Sequence, residues 1–320
     1  MTDREEDAMM NHALRWVRLL SVLALVGGQI TLGRAVPVMA APGDLIADVI
    51  TPEGTGPLLR ERGWSPSVAF DGTHLYYTEY AGSILHRIDV PPAGGPSIAT
   101  GQVDVPIVGT GSGIMTLSYD AGRDAFWAVG GDGLSIYLLS KTGTATLVYW
   151  IDAANDRPGF QTGVFATEVK LAYDGTDDTI WYSPDSTSRI YHYHTFADAL
   201  GTAALVAATP YIDVGLAPND MTAQCGYSQS NGVAVGGAHL FLSVHGCPYY
   251  FEYTKTGGKV ASYAYNLSGA FNTQDLECDN MSYSVAVLWI KDGYDGRIRA
   301  FEQPSAGACV FGGGMPLAPR

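Results

Sequence analysis

Five times along this chain an apolar strand runs into an acidic or glycine corner. An aromatic strand follows, then a polar loop, then a strand with alternating side chains. Val68-Ala69-Phe70-Asp71-Gly72 leads to Leu75-Tyr76-Tyr77 and Ile84-Leu85-His86-Arg87-Ile88. Leu117-Ser118-Tyr119-Asp120 leads to Phe126-Trp127 and Ile136-Tyr137-Leu138. Leu171-Ala172-Tyr173-Asp174-Gly175 leads to Ile180-Trp181 and Ile190-Tyr191-His192-Tyr193. Val233-Ala234-Val235-Gly236-Gly237 leads to Leu240-Phe241 and Tyr250-Phe251-Glu252-Tyr253. Leu276-Glu277-Cys278-Asp279 leads to Leu288-Trp289 and Ile298-Arg299-Ala300-Phe301. Successive corners lie 49, 54, 62 and 43 residues apart. Short strands repeating at this period predict an all-β propeller, one sheet per blade. Five four-stranded blades are expected, with six as the alternative.

Four segments supply fourth strands: residues 103–108, 146–151, 204–212 and 260–266. The fifth copy has none, because Gln303-Pro304-Ser305-Ala306-Gly307 follows Phe301. Leu45-Ile46-Ala47-Asp48-Val49-Ile50 stands unpaired at the other end. It is expected to complete the last blade and close the ring, which removes exposed sheet edges. The propeller then occupies residues 41–311, and residues 312–320 form a Gly/Pro-rich tail.

Arg15-Trp16-Val17-Arg18 precedes an apolar run, and Val38-Met39-Ala40 precedes Ala41-Pro42-Gly43. A basic flank, a short apolar core and small residues at a cut predict a signal peptide over residues 1–40. The mature chain is then secreted, extracellular or periplasmic, with no membrane span. An uncleaved N-terminal anchor is the alternative. The net charge is -14, and such a surface repels phosphate backbones, which excludes nucleic acid as a partner. A monomer is expected.

Two insertions, residues 153–167 and 214–230, precede the third and fourth copies. Inner strands of a propeller begin on the face where the second-to-third strand loops gather, so both insertions lie on that face. Loops gathered over a channel are where function is built. The four cysteines of an exported chain favour two disulfides. Cys225 and Cys247 share the insertion-bearing face, and Cys278 and Cys309 share the opposite one. The pairing Cys225–Cys247 and Cys278–Cys309 is expected.

Leu75-Tyr76-Tyr77-Thr78 with Ile84 and Arg87-Ile88-Asp89 resembles the strand pattern of the YWTD and NHL repeat families. Ser230-Asn231-Gly232-Val233-Ala234 resembles the Asn-Gly segment of the SMP-30/gluconolactonase family, and Asp275-Leu276-Glu277-Cys278-Asp279 resembles that family's later Asp segment. The resemblance implies a divalent cation, calcium or magnesium, on Asn231 and Asp275 at the channel mouth, with Glu168 as third ligand. Oxygen donors suit such ions. Two departures stand out: Trp64-Ser65-Pro66-Ser67 opens the first blade where that family has its Glu, and Val169 follows Glu168 where that family has Gly. The simpler reading makes Asn231-Gly232 a tight turn and Asp275 a loop cap.

His192 and His194 share one strand face and form a possible metal pair, although His86 holds a matching place in the first copy. Glu79, Asp132, Asp185, His245, Asp292 and Asp295 sit in loops of the upper rim, as a cation or sugar site or simply as a solvated edge. No nucleophile triad or phosphate loop is present. The leading expectation is an extracellular binding or scaffold module, whose ligand, protein or glycan, binds the insertion-bearing face. The alternative is a metal-dependent hydrolase or lactonase of the gluconolactonase type.

Overall fold

A computed structural model describes residues 41–54, 66–152, 169–184, 187–267 and 272–304. The leader region 1–40, the tail, Trp64, Ser65, the insertion over residues 153–167, Glu168, Asp185 and Cys309 lie outside the described residues.

Five sheets form, each with its inner strand starting one repeat copy. Blade 1 holds β2 (Ala69–Phe70), β3 (His74–Tyr77), β4 (Ile84–Asp89) and, beyond β5 (Gly94–Ile98), β6 (Val103–Pro106). Blade 2 holds β7 (Ile114–Asp120), β8 (Ala125–Gly130), β9 (Ser135–Ser140) and β10 (Ala145–Trp150). Blade 3 holds β11 (Val169–Asp174), β12 (Thr179–Pro184), β13 (Arg189–Ala197), β14 (Ala203–Leu205) and β15 (Tyr211–Asp213). Blade 4 holds β16 (Gly232–Gly236), β17 (His239–Ser243), β18 (Tyr249–Thr254) and β19 (Lys259–Ala264). Blade 5 holds β20 (Thr273–Asp279), β21 (Val287–Asp292) and β22 (Arg297–Glu302), completed by β1 (Leu45–Ile50). The chain is a five-bladed β-propeller.

Closure follows the expected route. β1 pairs antiparallel with β22, setting Val49 against Ile298 and Asp48 against Arg299. Two details differ from the sequence expectation. β5 adds a fifth, parallel strand to blade 5, with Val49 opposite Ser97. Its Gly94-Gly95-Pro96 start reads as a turn, because backbone pairing with β1 leaves no side-chain periodicity. The fourth strand expected over residues 204–212 is two short strands, both pairing β13. A turn in which the Thr209 N–H donates to the Val206 carbonyl separates them, with Pro210 following.

The hydrophobic core is divided into one cluster per blade interface. Trp127 and Tyr149 of blade 2 meet Leu171 and Tyr182 of blade 3. Trp181 packs toward Val233 and Phe251, Phe241 and Tyr250 toward Leu288 and Phe301, Trp289 toward Phe70 and Tyr77, and Tyr76 toward Phe126. The inner and second strands of the blades therefore bury side chains on both faces. Full burial of one such side chain stabilises by about 1.5–3 kcal/mol.

The corner acids explain the repeat. Asp120, Asp174 and Asp279 each accept the indole N–H of the next strand's tryptophan, from Trp127 at 3.1 Å, Trp181 at 3.3 Å and Trp289 at 2.8 Å. Asp71 accepts from the Tyr76 hydroxyl in the same place. The second oxygen accepts turn N–H groups, for example those of Gly122 and Arg123 on Asp120. A lysine of the following blade's outer turn then reaches across: Lys141 to Asp71 at 2.8 Å, and Lys255 to Asp174. One carboxylate thus closes the turn, fixes the aromatic ring and ties two blades together.

A disulfide joins Cys225, at the end of the short helix α1 (Thr222–Cys225), to Cys247, with Cα atoms 5.3 Å apart. No described helix is long and apolar enough to cross a membrane.

Candidate functional site at the mouth of the channel

Each inner strand pairs with one other strand, on its outer side. Its other edge faces the channel, and those N–H groups need partners. Side chains supply them. Asp275 Oδ2 accepts from the Thr116 hydroxyl at 2.8 Å and the Val68 N–H at 3.3 Å, and Oδ1 accepts from the Leu276 N–H at 3.0 Å. Ser118 Oγ accepts from the Tyr173 N–H at 2.9 Å. Glu277 accepts the N–H of Cys278 and that of Tyr119 from across the channel. Burial pushes the Glu277 carboxyl up to about 8, reinforced by the negative charges of Asp275 and Asp279. Burial also raises Asp275, against the pull of the buried Lys170 ammonium and its own hydrogen bonds.

Above this plug lies the mouth. Asn231 is buried at the start of β16, and its Oδ1 accepts the His245 N–H at 3.1 Å. The Tyr227 hydroxyl donates to the His245 carbonyl. Gln274 Nε2 lies 3.1 Å from His245 Nδ1, and Tyr294 packs edge-on to the imidazole with ring centres 5.8 Å apart. The disulfide at Cys247 anchors this loop to the 214–230 insertion. Tyr294 and Tyr227 remain 51% and 39% exposed. Gln274 is buried, and among the described residues no hydrogen-bond partner is found for its Oε1.

The residues that the metal-binding resemblance singles out are partly brought together. A Cβ on Gly232 would lie 3.2 Å from the Asp275 carbonyl carbon, so the two inner strands touch beside Asn231. Both Asp275 oxygens and Asn231 Oδ1 accept hydrogen bonds from protein donors. Among the described residues, no group of three or more His, Cys, Asp or Glu side chains is gathered for a metal.

His192 stacks on Trp181 with ring centres 4.0 Å apart and hydrogen-bonds Thr179 at 2.7 Å. Burial lowers its pKa. His86 stacks on Tyr77 in the same place of blade 1, while His194 stacks on Phe196. Three of the described rim acids serve the turns. Asp132 accepts the N–H groups of Leu134 and Ser135. Asp292 accepts those of Asn272, Tyr294 and Asp295, and Asp295 is bonded to Arg299. Gln274, Tyr294, Thr116 and Lys170 carry no sequence pattern of their own. Only the position of Tyr294, in a second-to-third strand loop, could have pointed to it.

Fold and site together define a five-bladed β-propeller with an aromatic, disulfide-stapled mouth on its insertion-bearing face. No protein-family model matches the chain, and no curated protein matches its sequence. Among solved structures it is similar to glutaminyl cyclase of Myxococcus xanthus, at 9% identity and TM-score 0.48, over 81% of this chain and 97% of that one. It is similar to a chain of a nidogen/laminin complex at 11% identity and TM-score 0.43, over 75% and 76%. It is also similar to virginiamycin B lyase from Staphylococcus aureus at 13% identity and TM-score 0.38, over 72% of this chain. The match spans 62% of the lyase chain's length. Identities this low carry nothing about activity.

Proposed function

We propose that the chain is an extracellular binding module that takes its ligand at the channel mouth. One observation carries this reading: the His245 loop is fixed at three of its polar groups and by a covalent staple. Asn231 holds its N–H, Tyr227 its carbonyl and Gln274 its Nδ1, and a disulfide two residues on staples the backbone. A surface loop ordered this way loses little entropy when a ligand binds, and so wastes little of the contact energy. Beneath it the channel is filled by cross-blade hydrogen bonds. The disulfide and the predicted leader support an extracellular setting.

NMR titration of the mature chain with sugars, ammonium compounds, amino acids, short peptides and dicarboxylates tests this. Shift changes confined to His245, Tyr227, Tyr294 and their neighbours are expected. Turnover of a probe, or shifts confined to the opposite face, would overturn the reading.

A further inference from the structure

The face opposite the mouth carries a feature that the binding reading leaves unused. Gln274 and Asp279 stand near opposite ends of β20, so the loop that follows Asp279 projects from the lower face, away from the mouth. That loop, residues 280–286, has seven residues, where the corresponding loops between inner and second strands of the other blades have two to four. It begins Asn280-Met281-Ser282, with Tyr283 next. Asn-X-Ser with X other than proline is the acceptor triplet for N-linked oligosaccharide in surface loops of exported chains. A triplet is short enough to arise by chance, so its setting decides.

The setting is a fixed turn with a free tip. Asp279 Oδ1 accepts the Met281 N–H at 2.7 Å and the Ser282 N–H at 3.1 Å, and Oδ2 accepts the Trp289 indole N–H. The Ser282 hydroxyl also donates to Asp279. Further along, the Tyr283 hydroxyl donates to the Pro91 carbonyl at 2.7 Å, and its ring packs beside Trp289. The chain on both sides of Asn280 is therefore held. Asn280 itself is exposed, and among the described residues no hydrogen bond to its side-chain amide is found. Met281 beside it is 40% exposed. A bulky, hydrated substituent on Asn280 Nδ2 extends into solvent here without displacing a core side chain.

The other such triplet, Asn266-Leu267-Ser268, starts in the opposite situation. Asn266 Nδ2 donates to Asp44 Oδ1 at 3.0 Å, and its backbone N–H donates to the Gly43 carbonyl at 2.8 Å. This junction leads into the closing strand β1. It is tight: a Cβ added to Gly43 would come within 2.0 Å of the Ala264 carbonyl oxygen. A substituent on Asn266 would crowd the place where the ring closes.

We infer that Asn280 is a site of N-linked glycosylation, on the face opposite the mouth. The inference rests on the extracellular part of the reading above, because donor and transferase belong to the export route. In the transfer, Asn280 Nδ2 bonds to C1 of the first sugar of a lipid-diphosphate-linked oligosaccharide. The bond from C1 to the diphosphate oxygen breaks, the lipid diphosphate leaves with that electron pair, and one Nδ2 proton is released. Nothing is oxidised or reduced. The attached glycan shields Met281 and leaves the insertion-bearing face open.

Cell-free translation of the full chain, leader included, with endoplasmic-reticulum microsomes tests this, since the vesicles supply donor and transferase. Protease protection reports import. The imported chain is expected to run as one slower band that an endoglycosidase returns to the parent position. Asn280→Gln and Ser282→Ala should each abolish that band. Ser282→Thr, which keeps the hydroxyl, and Asn266→Gln should retain it. The unmodified parent and Asn280→Gln should share one melting temperature, which separates loss of the acceptor from loss of the fold. An imported chain with no endoglycosidase-sensitive band overturns the inference and leaves the extracellular reading standing. A band unchanged by Asn280→Gln overturns it as well. A chain that is not imported overturns both.

Discussion

Single acidic side chains in this molecule do three different jobs, set by where the fold puts them. At the lower corners, Asp120 and Asp174 satisfy a turn, an indole and a basic side chain at once. Asp124 and Asp178 end the same turns at φ values of 49° and 57°, a left-handed conformation that aspartate tolerates better than most residues, and each accepts a tyrosine hydroxyl from its own blade. In the channel, Glu277 is held in a setting that favours its neutral form. Its folded-state pKa of about 8 lies above the ordinary value of 4.5. Its contribution to stability is therefore fully present below pH 4.5 and is lost as pH rises through 8. Glu277→Gln should flatten the fall in urea midpoint between pH 4.5 and 8, leaving the variant more stable than the parent at pH 8. Parallel slopes for parent and variant over that window would show that Glu277 does not carry the effect. The corner acids were legible as a repeated Asp before an aromatic strand. The role of Glu277 was not, because it depends on the Tyr119 N–H from a strand far away in sequence.

At the scale of the element, the 214–230 insertion combines a short helix with a stapled loop. α1 has four residues and ends at Gly226, whose φ of 81° requires glycine. Met221, buried before the helix, plugs into the core between blades 3 and 4. The disulfide closes a loop of sequence separation 22, worth about 3 kcal/mol by restriction of the unfolded chain. Replacing both cysteines with alanine should lower unfolding stability by about that amount in urea titration. It should also broaden or shift the His245 and Tyr227 NMR signals at temperatures where the β signal of circular dichroism is unchanged. Signals at the parent positions would mean that the staple does not hold the mouth. This pairing was readable from topology alone, because the repeat phase put both cysteines on one face. The companion pairing of Cys278 involves Cys309, outside the described residues. The sequence did not disclose β5, a strand made by backbone pairing rather than by side-chain alternation.

For the whole molecule, stability depends on ring closure. β1 brings Ala47 and Val49 into the core between blades 5 and 1 and covers the edge of β22. A chain lacking residues 41–51 would lose that packing, about 1.5–3 kcal/mol for Val49 alone, and would expose a strand edge to other chains. It should unfold at lower urea and run as oligomers in gel filtration. A monomer with the parent midpoint would show that closure by β1 is dispensable. The blade number, the closing strand and the insertion-bearing face followed from the sequence itself, because strand repeats and hydrophobic alternation are local and each copy carries its own corner and aromatic strand. The composition of the mouth was decided only by the tertiary structure. Tyr227, Asn231, His245, Gln274 and Tyr294 come from four separate stretches of blades 4 and 5, and what each side chain does depends on hydrogen bonds made across those loops. That is also why Asn231 and Asp275, adjacent as strands, turn their oxygens to different partners. Local pattern specifies which face a residue reaches, but the partners available there are set by the ring.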